Sequence, residues 1–166
     1  MGGLSKSLGA GLRIAYVHAP TEALAQRLAG ALRATTVMAS PVAAAIATRW
    51  IVSGVAQKLL DAVRAESIAR QQLAVRYLSD FGLRGHASGF HVWLTSPGPR
   101  NVVELALSLR SQGVACVAAM AFATDADPPA ALRICLGGAF SRDEIQQSLR
   151  IAAFALEQPA GQPHAL

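Results

Sequence analysis

Apolar positions along the chain follow two rhythms, a helical one of three to four residues and a shorter alternation typical of strands. An apolar run from Leu12 to Val17, followed by Pro20, reads as a buried strand. Pro20-Thr21-Glu22 then opens a helix, with Thr21 placed as its cap and Glu22 favourable in its first turn. Leu24, Leu28, Ala31 and Leu32 supply its stripe, to about Ala34. Ser40-Pro41 is a second start signal, a capping residue followed by proline at the first helical position. From there a helical pattern runs to about Ser79, broken or kinked at Gly54. Val55, Leu59, Ala62, Ala69, Leu73 and Tyr77 share one face, interrupted by Glu66.

The second half changes rhythm. Phe81 to Gly89 reads as a loop, and Phe90 to Thr95 alternates Phe90, Val92 and Leu94 against His91, Trp93 and Thr95 as a half-buried strand. Ser96-Pro97-Gly98-Pro99 predicts a turn. Asn101 or its neighbour caps a helix to about Gln112, stopped by Gly113. Val114 to Phe122 predicts a second strand and Thr124 to Pro129 a polar connection. Leu132, Ile134 and Leu136 form one face of a third strand, with Arg133 and Cys135 on the other. Ser141-Arg142-Asp143-Glu144 is a capping box, and Ile145, Leu149, Ala152, Ala153 and Leu156 line a last helix. From Gln158 on, the chain reads as a loose tail. The fold class is α/β.

Composition narrows the function classes. Of 166 residues 52% are apolar and only 15% charged, a helix-rich globular mixture. The net charge of +5 suggests nucleic acid, but the arginines are dispersed and no basic run with interleaved aromatics appears. The longest apolar run, Val114 to Ala123, has ten residues, half of what spans a bilayer. No signal-peptide layout opens the chain, so a cytoplasmic protein without membrane contact is expected. Cys116 and Cys135 sit alone in apolar segments without metal-ligand spacing; packed thiols and no metal are the expectation.

Candidate chemistry concentrates near the start. Lys6 is one of two lysines beside thirteen arginines, and an amine, unlike a guanidinium, forms an imine with an aldehyde once uncharged. Ser5, Ser7, Gly9, Gly11 and Arg13 around it are suited to a phosphate: glycine backbones permit close approach and arginine offers a fork. A lone Ser-Lys is most often a solvated lysine near a chain end. The whole run is more informative.

In Ser5-Lys6 through Gly11-Leu12-Arg13-Ile14-Ala15-Tyr16 the chain resembles the pyridoxal-phosphate-dependent enzymes of aminotransferase fold type I. The seven-residue step from Lys6 to Arg13 is similar to that of the aminotransferase-like domains of MocR-type regulators, in the GntR transcription-factor family. Ala31-Leu32-Arg33-Ala34-Thr35-Thr36, Ala39-Ser40-Pro41 and Gly89-Phe90-His91-Val92-Trp93-Leu94 extend the likeness, which runs to about residue 157. Gly3 stands where many members carry a serine or threonine.

That resemblance implies a C-terminal part of the fold. Residues 1–45 would be a strand-helix remnant of the large cofactor domain, 46–80 a long linking helical region, and 81–157 a small α+β domain. The small domain would have about three mainly antiparallel strands and two helices, followed by the tail at 158–166. It implies pyridoxal 5'-phosphate as cofactor, with Lys6 as the Schiff-base lysine and Ser5 and Arg13 on the phosphate. Arg133, in Leu132-Arg133-Ile134, would bind a substrate or effector carboxylate. The function implied is the effector domain of a MocR-type regulator that senses an amino acid or amine; the alternative is the C-terminal part of a stand-alone aminotransferase. DNA is expected only through a winged-helix domain absent from these residues, and the full-length form is expected to be a homodimer. Two charge-assisted phosphate contacts supply about 3–6 kcal/mol before association costs, so the chain alone is expected to hold cofactor weakly and not to transaminate. His18, His86 and His91 receive no catalytic role.

Overall fold

A computed structural model describes residues 1–95 and 101–158, in two compact units, Met1–Arg64 and Ala65–Leu166. The expected turn at Ser96–Pro99 and the tail from residue 159 lie outside the described residues.

In the first unit, β1 (Gly2–Gly3) pairs antiparallel with β2 (Ala15–Tyr16). The buried strand expected from Leu12 to Val17 is therefore corrected: two residues are in strand geometry, and both are exposed. Leu12 instead ends a 3₁₀ turn, Ala10–Leu12, and Arg13 follows in the left-handed region. An apolar run stays extended when sheet neighbours pair with it and cover it, and here only Gly2 and Gly3 do so. Helix α1 (Glu22–Thr35) starts as its sequence dictates, the Thr21 hydroxyl accepting from the Leu24 amide at 3.3 Å. In α2 (Pro41–Val52), Ser40 Oγ accepts from the Ala43 amide at 3.3 Å. Gly54, with φ 77°, separates α2 from α3 (Val55–Leu78); that backbone is cheap only for glycine.

The second unit contains the main core. After α3 come β3 (Leu83–Gly85), β4 (His91–Thr95), α4 (Val102–Ser111), β5 (Cys116–Ala118), β6 (Ala131–Cys135) and α5 (Arg142–Glu157). The sheet order is β3-β4-β6-β5, antiparallel throughout. One sheet face supplies Val92, Leu94, Leu132 and Ile134 to a buried cluster completed by Leu78 of α3, Leu109 of α4 and Leu149 of α5. The Asn101 side chain caps α4 through the amides of Val103 and Glu104, and Gly113, φ 85°, ends it. The Ser141–Glu144 capping box of α5 forms as expected.

Two strand expectations change. The 81–89 loop contains a fourth strand, β3, paired Leu83 to Leu94 and Gly85 to Val92. Three residues, Leu-Arg-Gly, carry no periodicity; pairing with β4 alone makes them a strand. The strand expected over Val114 to Phe122 shrinks to β5, and Ala119–Phe122 turns away as a 3₁₀ segment. That stretch is alanine-rich, with weak preference for extended backbone.

The largest departure is the buried face of α3. Val55 and Ala62 are exposed, whereas Ser67, Arg70, Gln71, Ala74 and Leu78 are buried. Arg70 Nη1 donates to Leu136 O (2.7 Å) and Gly138 O (3.3 Å), Nη2 to Phe140 O (2.6 Å), and Nε to Glu66 Oε1 (2.8 Å). Gln71 Nε2 donates to Gly89 O at 2.8 Å and His91 O at 3.0 Å. Buried polar groups are tolerated when each finds its partner, and the Arg70 guanidinium and Gln71 Nε2 do. Glu66 also accepts from Arg142 Nη2 at 2.8 Å; the hydrogen bonds from Arg142 and Arg70 lower its pKa from 4.5 to about 2. Among the described residues no helix is long and apolar enough to cross a membrane.

Two outcomes are expected. Arg70→Ala leaves three carbonyls without this donor and Glu66 with Arg142 alone, and lowers stability by about 3 kcal/mol, read by urea unfolding through Trp93 fluorescence in a Trp50→Phe background. A Glu66 carboxylate with a depressed pKa contributes stability above its unfolded value of 4.5, lost as the pH falls towards about 2. The stability gap between wild type and Glu66→Gln therefore narrows through that window in an acid titration; a gap independent of pH would contradict the ion-pair reading.

Candidate functional site

The lysine-bearing segment is a closed loop. The β1–β2 pairing and a hydrogen bond from Leu4 N to Ile14 O (2.9 Å) hold its ends together. Leu4 O accepts from the amides of Leu8 (2.9 Å) and Gly9 (3.1 Å), folding the loop back on itself. Ser5 and Lys6 lie in the 3₁₀ turn Leu4–Lys6, and the Ala10–Leu12 turn lies against it. Lys6 and Arg13 are exposed, and Ser5 is half-buried.

The loop backbone is open at two glycines. At Gly9 and Gly11 no described atom outside the adjacent residues comes within 4 Å of where a Cβ would stand, so an incoming oxygen could approach the backbone. A Cβ on Gly2, by contrast, would stand 2.6 Å from Tyr16 Cζ, so glycine there makes room for the ring. Arg13 has φ 51°, which costs a non-glycine residue about 1–2 kcal/mol. Residues in such conformations cluster at functional sites. A lysine, open glycine backbones and an arginine on one loop are the groups that a phosphorylated aldehyde calls for.

Arg133 stands in the other unit, at the centre of β6. Its cross-strand partners are Trp93 on β4 and Val117 on β5, on the sheet face away from the core. Its Cζ lies 4.3 Å from the centroid of the Phe122 ring, which sits 6.4 Å from the Trp93 ring at a 54° tilt. Its Nε is buried and, among the described residues, has no hydrogen-bond partner. Arg133 and Arg110 line an open cleft of about 410 Å³ beside Gly113 to Val117 and Cys135, and among the described residues no acidic side chain lines it. Such a cleft attracts anions. The structure thus places Ser5, Lys6 and Arg13 on one loop and Arg133 in the second unit.

Sequence reasoning missed Phe122, which it assigned to a strand, and Arg110. The parity of Trp93 and Arg133 on adjacent strands was the available signal for an aromatic-cationic face. Cys116 is buried and Cys135 half-buried, both free thiols; desolvation pushes the Cys116 pKa up.

A four-stranded antiparallel sheet with helices on one face, preceded by a glycine-rich lysine loop, is an α/β architecture of aminotransferase type. The chain belongs to the aminotransferase class I and II family, whose family model matches residues 1–151. An uncharacterized HTH-type transcriptional regulator of Bacillus subtilis, YdeF, is 32% identical over 149 residues, 89% of this chain and 32% of YdeF. The HTH-type transcriptional regulator TauR of Rhodobacter capsulatus is 32% identical over 119 residues, 69% of this chain and 24% of TauR. The chain spans a third or less of the length of these curated relatives. Among solved structures, kynurenine aminotransferase of Pyrococcus horikoshii, in complex with PMP, superposes with a TM-score of 0.80 at 22% identity, over 94% of this chain and 39% of that one. The multiple substrate aminotransferase of Thermococcus profundus gives 0.79 at 20% identity, over 94% and 40%. These likenesses establish the fold.

If Arg13 is kept in a strained backbone for its side chain, Arg13→Gly should not destabilise the chain. A gain of up to about 1 kcal/mol is expected, seen as an unchanged or raised melting temperature. A clear fall would mean that the Arg13 side chain holds the loop together.

Proposed function

We propose that this chain is the aminotransferase-like effector part of a MocR-type regulator of the GntR family. In this reading pyridoxal 5'-phosphate is held on the loop of residues 4–14, and an amino acid or amine is the effector. The observation that carries the reading is the loop itself: one short closed segment brings together Lys6, open glycine backbones and an arginine whose conformation is strained. Lys6 Nζ is the group that takes the aldehyde. Arg13 and the Ser5 hydroxyl hold the phosphate through charge-assisted and neutral hydrogen bonds. When bound, the cofactor supplies an electron sink for bonds at an amino carbon. Arg133 offers its fork to a carboxylate.

Both curated relatives are transcriptional regulators, which favours a sensor over a stand-alone enzyme. DNA recognition would then reside in a winged-helix segment outside these residues, and the full-length form would be a homodimer in the cytoplasm.

The assignment is checked by mixing full-length protein with pyridoxal phosphate, trapping with borohydride and mapping the labelled peptide. The label is expected on Lys6 and is lost in Lys6→Ala. Arg13→Gly is expected to weaken cofactor binding by about ten- to a hundredfold, the usual range for one charge-assisted contact. A label on any residue other than Lys6 would overturn the reading.

A further inference from the structure

Two arginines of the second unit are used in opposite ways. The Arg70 fork commits four of its five N–H groups to three carbonyls and the Glu66 carboxylate. Arg133 makes no such commitment among the described residues: its Nε is unpartnered, and what meets its guanidinium is the face of Phe122 at 4.3 Å. A ring face restrains a guanidinium by attraction to its π system while leaving the in-plane N–H groups available.

Phe122 is 46% exposed, so core burial does not explain where it stands. It ends the 3₁₀ segment Ala119–Phe122 that replaces the end of an expected strand. That departure from extended geometry coincides with its seat over Arg133. Trp93, the cross-strand partner of Arg133, lies 6.4 Å from the Phe122 ring and limits the ring's freedom on the side of β4.

We infer that Phe122, flanked by Trp93, is a positioning residue that orients the Arg133 fork for a carboxylate without consuming its donors. This rests on the proposed role of Arg133 as the carboxylate residue. Binding a carboxylate through two parallel N–H groups requires the guanidinium plane to be set in advance; otherwise ordering a long side chain opposes binding. An acidic partner would also hold the plane, but it would neutralise the charge and occupy the same donors. An aromatic face avoids both effects.

The test uses full-length protein loaded with pyridoxal phosphate and carrying isotope-labelled arginine, with L-alanine as the probe. The Arg133 Nε–H resonance is assigned by its loss in Arg133→Lys. Wild type and Phe122→Tyr are expected to show a saturable shift of that resonance with similar affinity. Phe122→Leu keeps the bulk but removes the π face. It is expected to weaken binding about 2- to 5-fold, the equivalent of an exposed cation–π contact, and to move or broaden the resonance before any ligand is added. Should wild type fail to respond, or Arg133→Lys bind as well as wild type, the carboxylate role of Arg133 itself falls. If Arg133→Lys weakens binding while Phe122→Leu matches wild type with an unmoved resonance, that role stands and the inference about Phe122 is overturned. Equal weakening by Phe122→Tyr and Phe122→Leu overturns it too, since the ring face would not be the cause.

Discussion

The second unit is organised around the fork of Arg70. A buried guanidinium can be accommodated only when its donors are met, and here three carbonyls between Leu136 and Phe140 and one carboxylate on its own helix meet them. Those carbonyls belong to the segment between β6 and α5, so the strand bearing Arg133 ends in a fixed geometry. Gln71, one position further along α3, treats the approach to β4 the same way through Gly89 and His91. A polar pair on a helix thereby sets where two neighbouring central strands begin and end.

This arrangement explains how one sheet can have two dissimilar faces. The face towards the helices is aliphatic and closed, with Leu94 and Leu132 almost wholly buried. The other bears Trp93, Arg133 and Val117 in adjacent cross-strand positions. Alternation along β4 and β6 assigns residues to the two faces, and because one face is buried it also specifies the register in which they meet. The lysine loop of the first unit follows a different principle. It has little buried apolar area and is held by backbone bonds, chiefly those converging on Leu4 O. Its shape depends on small residues and local hydrogen bonding.

Much of this was legible beforehand wherever the determinant is local. Thr21, Ser40, Asn101 and the Ser141–Glu144 box mark helix starts because a side chain can reach its own amides within one turn. Gly54 and Gly113 mark breaks because a left-handed backbone penalises any Cβ. The strand parity of Val92 and Leu94, and of Leu132 and Ile134, was equally plain. The loop holding Ser5, Lys6 and Arg13 was legible as a motif, since its residues are contiguous.

Other features required partners distant along the chain. Leu83–Gly85 is a strand only because Val92 to Leu94 lies beside it. Leu12 is not in one because so little pairs with that segment. The α3 face was misread because apolar periodicity treats Arg70 and Gln71 as outward residues, and only carbonyls more than sixty and about twenty positions away make their burial tolerable. The seat of Phe122 over Arg133 is of the same kind. The sequence alone determined helix limits, strand alternation and the family motif, all of which act within a turn or along one strand. Tertiary structure decided which polar groups could leave water, because that depends on donors and acceptors meeting across the fold.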